Sequence, residues 1–159
     1  ARVISEVAES LRPQIEASGQ ALDIRIDGST PSIEADGKRI RQIIFNLLQN
    51  ARVHTPGGTT IEVSVCGTGT EVLVEVKDDG EGLPFENPED AFGSFRSGLA
   101  TGGDPMTGSG IGLTISRQLA ELHRGTLEVE SEAGVGTKFT LLLPVERAAA
   151  RKLVLPEAN

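Results

Sequence analysis

An α+β two-layer sandwich, with a largely antiparallel or mixed sheet covered on one face, is the fold class that the sequence predicts. Apolar residues recur at three- to four-residue steps in three separate stretches, which is the helical period. Between those stretches, apolar and polar residues alternate in short runs joined by glycine turns, the signature of strands in hairpins. Strand and helix do not alternate throughout, so a doubly wound parallel fold is excluded.

Each element follows from its own pattern. Val3, Val7, Leu11 and Ile15, with Ile4 beside them, make one helix stripe over 3–18, and Gly19 stops it. ALDIRID (21–27) alternates Leu22, Ile24 and Ile26 with polar partners, a half-buried strand. After the turn GSTPS, the run SIEA reads as a short edge strand ahead of Asp36. Ile40, Ile43, Ile44, Leu47, Leu48 and Ala51 define a helix over 36–54, stopped by Thr55-Pro56-Gly57-Gly58. Residues 60–66 and 71–76 form a hairpin across Gly67-Thr68-Gly69. Residues 88–92 make one helical turn, and 94–109 show no period. Ile111, Ile115, Leu119 and Leu122 mark a third helix. The strands 126–129 and 137–143 close the domain, which spans 1–144; residues 145–159 read as a C-terminal tail or linker.

Bulk properties narrow the function classes. The chain has 159 residues, enough for one domain with its own core. It holds five Phe and no Trp or Tyr, so the core must be aliphatic. The lone Cys66 excludes an internal disulfide, and its place in a strand predicts a buried, inert thiol. A net charge of −8 argues against nonspecific nucleic-acid binding. No run of 18 apolar residues is present and the first residues are no signal peptide, so neither a membrane span nor secretion is expected. The chain starts within a helical pattern and without Met, as expected of a domain excised from a longer protein.

Three motifs carry chemistry. Asn46 and Asn50 in FNLLQNA lie four apart and share a helix face. Carboxamide oxygens are hard ligands suited to Mg²⁺, although such a pair also serves structural bonding. Asp78-Asp79-Gly80-Glu81-Gly82 ends a strand, where a carboxylate can accept a hydrogen bond from an adenine amino group; the bland alternative is an acidic turn. It lacks the further acids of an EF-hand. Gly108, Gly110 and Gly112 feed the third helix, as a backbone cradle for phosphate or as a flexible connector. This stretch is neither a dinucleotide fingerprint nor a P-loop.

Together, NLLQNA (46–51), DDGEGLP (78–84), AFGSF (91–95), GSGIGL (108–113) and the closing segment 125–144 resemble the ATP-binding catalytic domain of bacterial two-component sensor histidine kinases, within the GHKL (HATPase_c) ATPase group. The resemblance covers roughly 1–144. It implies the Bergerat fold, a mixed sheet of about five strands under three helices. It also implies Mg-ATP as ligand. Asn50, with Asn46, would match the N-box, where Mg²⁺ is held on the phosphates. Asp78 would receive the adenine amino group, and Gly80 and Gly82 would shape its pocket. Phe92 and Phe95 would match the F-box, under an ATP lid spanning 94–109. Gly108, Ser109, Gly110, Ile111, Gly112 and Leu113 would cradle the phosphates, and Thr137 would support the adenine.

The resemblance further implies a protein-histidine kinase. The γ-phosphate would pass to a His on a dimerisation hairpin upstream of residue 1, and from there to a response regulator. The expected location is cytoplasmic, with this domain monomeric by itself. Related hydrolases carry a Glu where Asn46 stands, and that Glu activates water; its absence favours phosphotransfer. Some positions depart from the family pattern. Val53 stands where a basic residue is common, and residues 97–112 contain no Lys or Arg. The nearest cations are Arg96 and Arg117. These departures predict weak ATP affinity or heavy reliance on Mg²⁺. They also leave open a degenerate or allosteric nucleotide-binding module as the alternative. Neither His54 nor His123 has the sequence context of a phosphoacceptor.

Overall fold

A computed structural model describes residues 1–93 and 111–145. The described chain runs α1 (Arg2–Ala17), β1 (Ala21–Ile26), α2 (Gly37–His54), β2 (Thr60–Gly67), β3 (Glu71–Asp78), a 3₁₀ turn (Pro88–Phe92), α3 (Ile111–Leu122), β4 (Thr126–Glu132) and β5 (Gly136–Pro144). Five strands form one sheet in the order β1-β2-β3-β5-β4. β1 pairs parallel with β2, and the remaining pairs are antiparallel. The sheet is therefore mixed. Its one parallel pair is the pair bridged by α2, because parallel strands need a crossover between them.

The three helices cover one face. Strand alternation sends Ile61, Val63 and Val65, then Val72, Val74 and Val76, then Phe139, Leu141 and Leu143 into a common core. From the helix layer, α1 contributes Ile4, Val7, Leu11 and Ile15, and α2 contributes Ile43, Ile44, Leu47 and Leu48. Burying each such side chain contributes about 1.5–3 kcal/mol. The four from α2 together outweigh the cost of the two half-buried carboxamides at the edge of its apolar stripe, about 1–3 kcal/mol for each one left unpaired.

Both ends of α2 are closed by side chains. Asp36 is the N-cap and accepts from the Lys38 and Arg39 backbone N–H groups. At the other end, buried Gln20 donates through Nε2 to Arg52 O (3.0 Å), Thr55 O (2.8 Å) and Thr55 Oγ1 (2.7 Å). His123, after α3, accepts from the Asp36 N–H on Nε2 at 3.2 Å, and its Nδ1 faces Leu119 O at 2.7 Å. A carbonyl only accepts, so the proton sits on Nδ1 and both ring nitrogens are engaged.

Certain sequence expectations are corrected. Residues 32–35 form no strand; Ile33 and Ala35 instead pack against the core as an irregular approach to the Asp36 cap. Cys66 is exposed. It follows Val65 in β2, and alternation turns it to the opposite face. On α3 the stripe is rotated: Ile111 is 48% exposed and Leu122 78%, while Leu113, Ser116, Leu119 and Ala120 are buried. The small residues Gly112, Ser116 and Ala120 at four-residue steps set α3 against α2, a feature that a search for large apolar residues passes over.

Candidate functional site

One end of the core is polar, and three neighbouring strands make it so. On β3 the inward row Val72, Val74, Val76 ends in Asp78, which is 6% exposed. On β5 the row Leu143, Leu141, Phe139 ends in buried Thr137, and on β4 the row Leu127, Val129 ends in Ser131. Register places Thr137 opposite both Asp78 and Ser131. Ser131 Oγ lies 3.1 Å from Thr137 Oγ1 and receives the Leu83 N–H at 2.8 Å.

Asp78 is held by backbone. Its Oδ1 accepts from the Gly80 N–H at 3.0 Å, and the Thr137 N–H, on the paired residue of β5, favours the charged form electrostatically. Burial pushes this carboxyl above the ordinary aspartate value, with Asp79 adding to the rise; the two N–H groups and the nearby His54 pull the other way. His54 is itself pushed down by desolvation, opposed by Asp78. Because His54 presents solvent-exposed surface, that desolvation carries little weight. The second carboxylate of the turn is structural. Asp79 Oδ1 accepts from the Thr60 N–H and ties the start of β2.

The glycines after Asp78 are required by space and backbone. A Cβ on Gly80 would lie 2.7 Å from Thr55 Cγ2 at the end of α2. Gly82 has φ +80°, and a Cβ there would lie 2.6 Å from Glu132 O. The turn is thereby pressed between α2 and the β4–β5 end, where the Gly134 N–H donates to Glu81 O at 2.9 Å.

Along α2, Asn46, Asn50 and His54 succeed one another on one face, spanning about 12 Å at 1.5 Å per residue. The His54 end meets Asp78 and Gly80. At the Asn46 end, Nδ2 donates to Gly112 O and to Ser116 Oγ, both at 3.1 Å. The Asn50 carboxamide bonds no other described residue. The first N–H groups of α3, from Ile111 through Leu113, have no partner within the helix and carry the positive end of its dipole. The site thus joins a buried acceptor at one end to a helix N-terminus at the other, with two carboxamides between. That set of groups suits a nucleotide: an acceptor for a base amino group, hard oxygens for a cation, and amides for phosphate.

The family model for histidine kinase-, DNA gyrase B- and HSP90-like ATPases matches residues 35–147. The chain belongs to this ATPase family. Within it, the chain is 36% identical over 146 residues to the adaptive-response sensory kinase SasA of Synechococcus sp. (strain JA-2-3B'a(2-13)), a match covering 91% of this chain and 38% of that kinase. The chain therefore spans well under half the length of such relatives. The nucleotide-free catalytic domain of histidine kinase ThkA superposes with a TM-score of 0.76 at 28% identity, covering 91% of this chain and 92% of that one. The histidine kinase ShkA, solved in complex with AMPPNP, gives a TM-score of 0.76 at 27% identity, covering 89% of this chain and 29% of ShkA. A mixed five-stranded sheet under three helices is thus the fold of this member of the ATPase family.

Set against the sequence expectations, Asn46, Asn50, Asp78, Gly80, Gly82, Gly112 and Thr137 gather at this end of the molecule. Leu113 lies in the core, so only its backbone faces the site, and Ile111 is exposed. Phe92 is buried, edge-on to Phe139 with ring centroids 6.1 Å apart. Phe95, Gly108, Ser109, Gly110 and the whole of the expected lid, 94–109, lie outside the described residues. Arg117 is committed elsewhere: its guanidinium stacks 3.5 Å over the Phe92 ring, pairs with Glu89 at 2.7 Å and donates to Leu127 O. Arg52 turns to Gln49 at 2.8 Å and to Ser18. Sequence reasoning missed Ser131, Ser116 and Thr55. The signal for Ser131 was available: a polar residue ending an inward row, as Asp78 does.

Proposed function

We propose that this chain is the ATP-binding catalytic domain of a sensor histidine kinase, holding Mg-ATP and donating the γ-phosphate to a His on a separate dimerisation hairpin. The observation that carries this reading is Asp78. Burying a carboxylate at the end of a core row disfavours its charge, and a ligand that donates a hydrogen bond to it would offset that cost. In this reading Asp78 accepts the adenine amino group, with Thr137 beside it. Asn50 and Asn46 turn carboxamide oxygens toward the cation and phosphates, and the amides of 108–113 hold the phosphate oxygens. Bound Mg²⁺ supplies charge neutralisation on the phosphates. Asn46 offers no base to a water molecule, so the phosphoryl group waits for a protein acceptor. His123, with both nitrogens engaged, is not that acceptor. A response regulator would receive the phosphate next.

A fluorescent ATP analogue titrated into the chain with and without Mg²⁺ tests the reading. Binding is expected to depend on Mg²⁺ and to be abolished by Asp78→Ala. Absence of binding at millimolar nucleotide would contradict it and favour a non-enzymatic signalling module.

A further inference from the structure

Asn46, Gly112 and Ser116 close a hydrogen-bonded triangle between α2 and the first turn of α3. Asn46 Nδ2 donates to Gly112 O and to Ser116 Oγ, each at 3.1 Å, and Ser116 Oγ donates to Gly112 O at 2.8 Å. Ser116 has no exposed surface. A helical serine bonding the carbonyl four residues back is ordinary. That habit accounts for one side of the triangle and not for the bond received from Asn46.

The triangle decides which way the carboxamide faces. Gly112 O can only accept, so the nitrogen of Asn46 and not its oxygen must face α3. The Ser116 hydroxyl directs its proton to the same carbonyl and therefore offers Nδ2 a lone pair. Both α3 groups thus select one amide orientation, and Oδ1 is left without a partner among the described residues. It stands one helical turn from Asn50, on the same face of α2.

We infer that Ser116 is a positioning residue: its buried hydroxyl fixes the Asn46 carboxamide so that Oδ1 is presented to the Mg²⁺–phosphate group. This inference rests on the Mg-ATP reading above. It also couples the phosphate end of α3 to the metal-facing side chain of α2, because any shift of the first turn of α3 moves the two atoms that orient Asn46.

The test measures the affinity for a fluorescent ATP analogue with Mg²⁺ and in EDTA. It uses the 159-residue chain and its Ser116→Ala, Asn46→Ala and doubly substituted forms. The quantity read is the ratio of the two affinities. Ser116→Ala is expected to lower that ratio about three- to tenfold, the loss typical of one hydrogen bond, while affinity in EDTA stays unchanged. Ser116→Cys, a weaker acceptor of similar shape, is expected to lose less, and it serves if the alanine form melts early. In the double variant the ratio should equal that of Asn46→Ala alone. In the nucleotide-free chain, proton exchange of the Asn46 side-chain NH₂ should quicken in Ser116→Ala. An unchanged ratio, an equal fall with and without Mg²⁺, or additivity in the double variant overturns the positioning role alone. If the unmodified chain shows no Mg²⁺-dependent binding, the Mg-ATP reading falls and the inference with it.

Discussion

At the scale of residues, the burial of Asp78 makes stability depend on pH. Its carboxyl is held above the ordinary aspartate value of 3.8 chiefly by burial. The folded state therefore binds this proton more tightly than the unfolded chain does. The resulting stability is fully present below that ordinary value and is lost as the pH rises through the raised one. Asp78→Asn removes this dependence, so its stability relative to the parent should climb as the pH rises through that window. Denaturant titrations at a series of pH values measure the difference, and a difference flat with pH would contradict it. Gly82→Ala makes the opposite kind of change. It puts a Cβ at φ +80° against Glu132 O, and a loss of about 1–3 kcal/mol is expected by chemical denaturation. Asp78 was legible in the sequence because Val72, Val74 and Val76 announce its face two residues at a time. Ser131, ending the row Leu127, Val129 on β4, carries the same signal, but its bond to Leu83, 48 positions away, follows from no local pattern. Cys66 shows the same rule misapplied, since a strand position implies burial only on the correct face.

Among the elements, α2 is the ruler of the site and α3 its counterpart. The aliphatic stripe of α2 was readable residue by residue, and the Asn46–Asn50 spacing with it. The large apolar residues of α3 point to the wrong face, because its buried face carries small residues. Gly112, Ser116 and Ala120 set the approach to α2, and Ile111 and Leu122 fall outside it. The 3₁₀ turn was visible in Pro88–Phe92, yet its fastening was not. Arg117 joins that turn to α3 and β4 through Glu89, the Phe92 ring and Leu127 O. In this position it braces the turn rather than serving as a phosphate cation. Arg117→Ala should therefore destabilise the fold by about 1–2 kcal/mol, combining a stacked cation and a carbonyl bond with a half-exposed ion pair worth little. Its nucleotide affinity in EDTA should stay near the parent value. Denaturation and the same analogue titration check the two halves of that statement.

For the molecule as a whole, helix count and hairpin pairing were available from periodicity alone. The sequence left a mixed and an antiparallel sheet open, because strand direction is decided by the crossover of α2 between β1 and β2 and no residue pattern encodes it. The resulting sheet gathers the ends of β3, β5 and β4 near the C-terminal half of α2, which makes one candidate site of motifs scattered over residues 46–137. With no acceptor His in suitable context, the isolated chain incubated with radiolabelled ATP and Mg²⁺ is expected to hold nucleotide without labelling itself. Rapid self-labelling would refute that arrangement. In the proposed reading, Asp78 and the Asn46–Asn50 face form a single Mg-ATP site. Backbone amide NMR of the chain titrated with Mg-ATP tests it most directly. Shifts concentrated at Asn50, Asp78, Gly80, Gly112 and Thr137 are predicted; their absence at saturating nucleotide, or shifts confined to another face, would contradict the account.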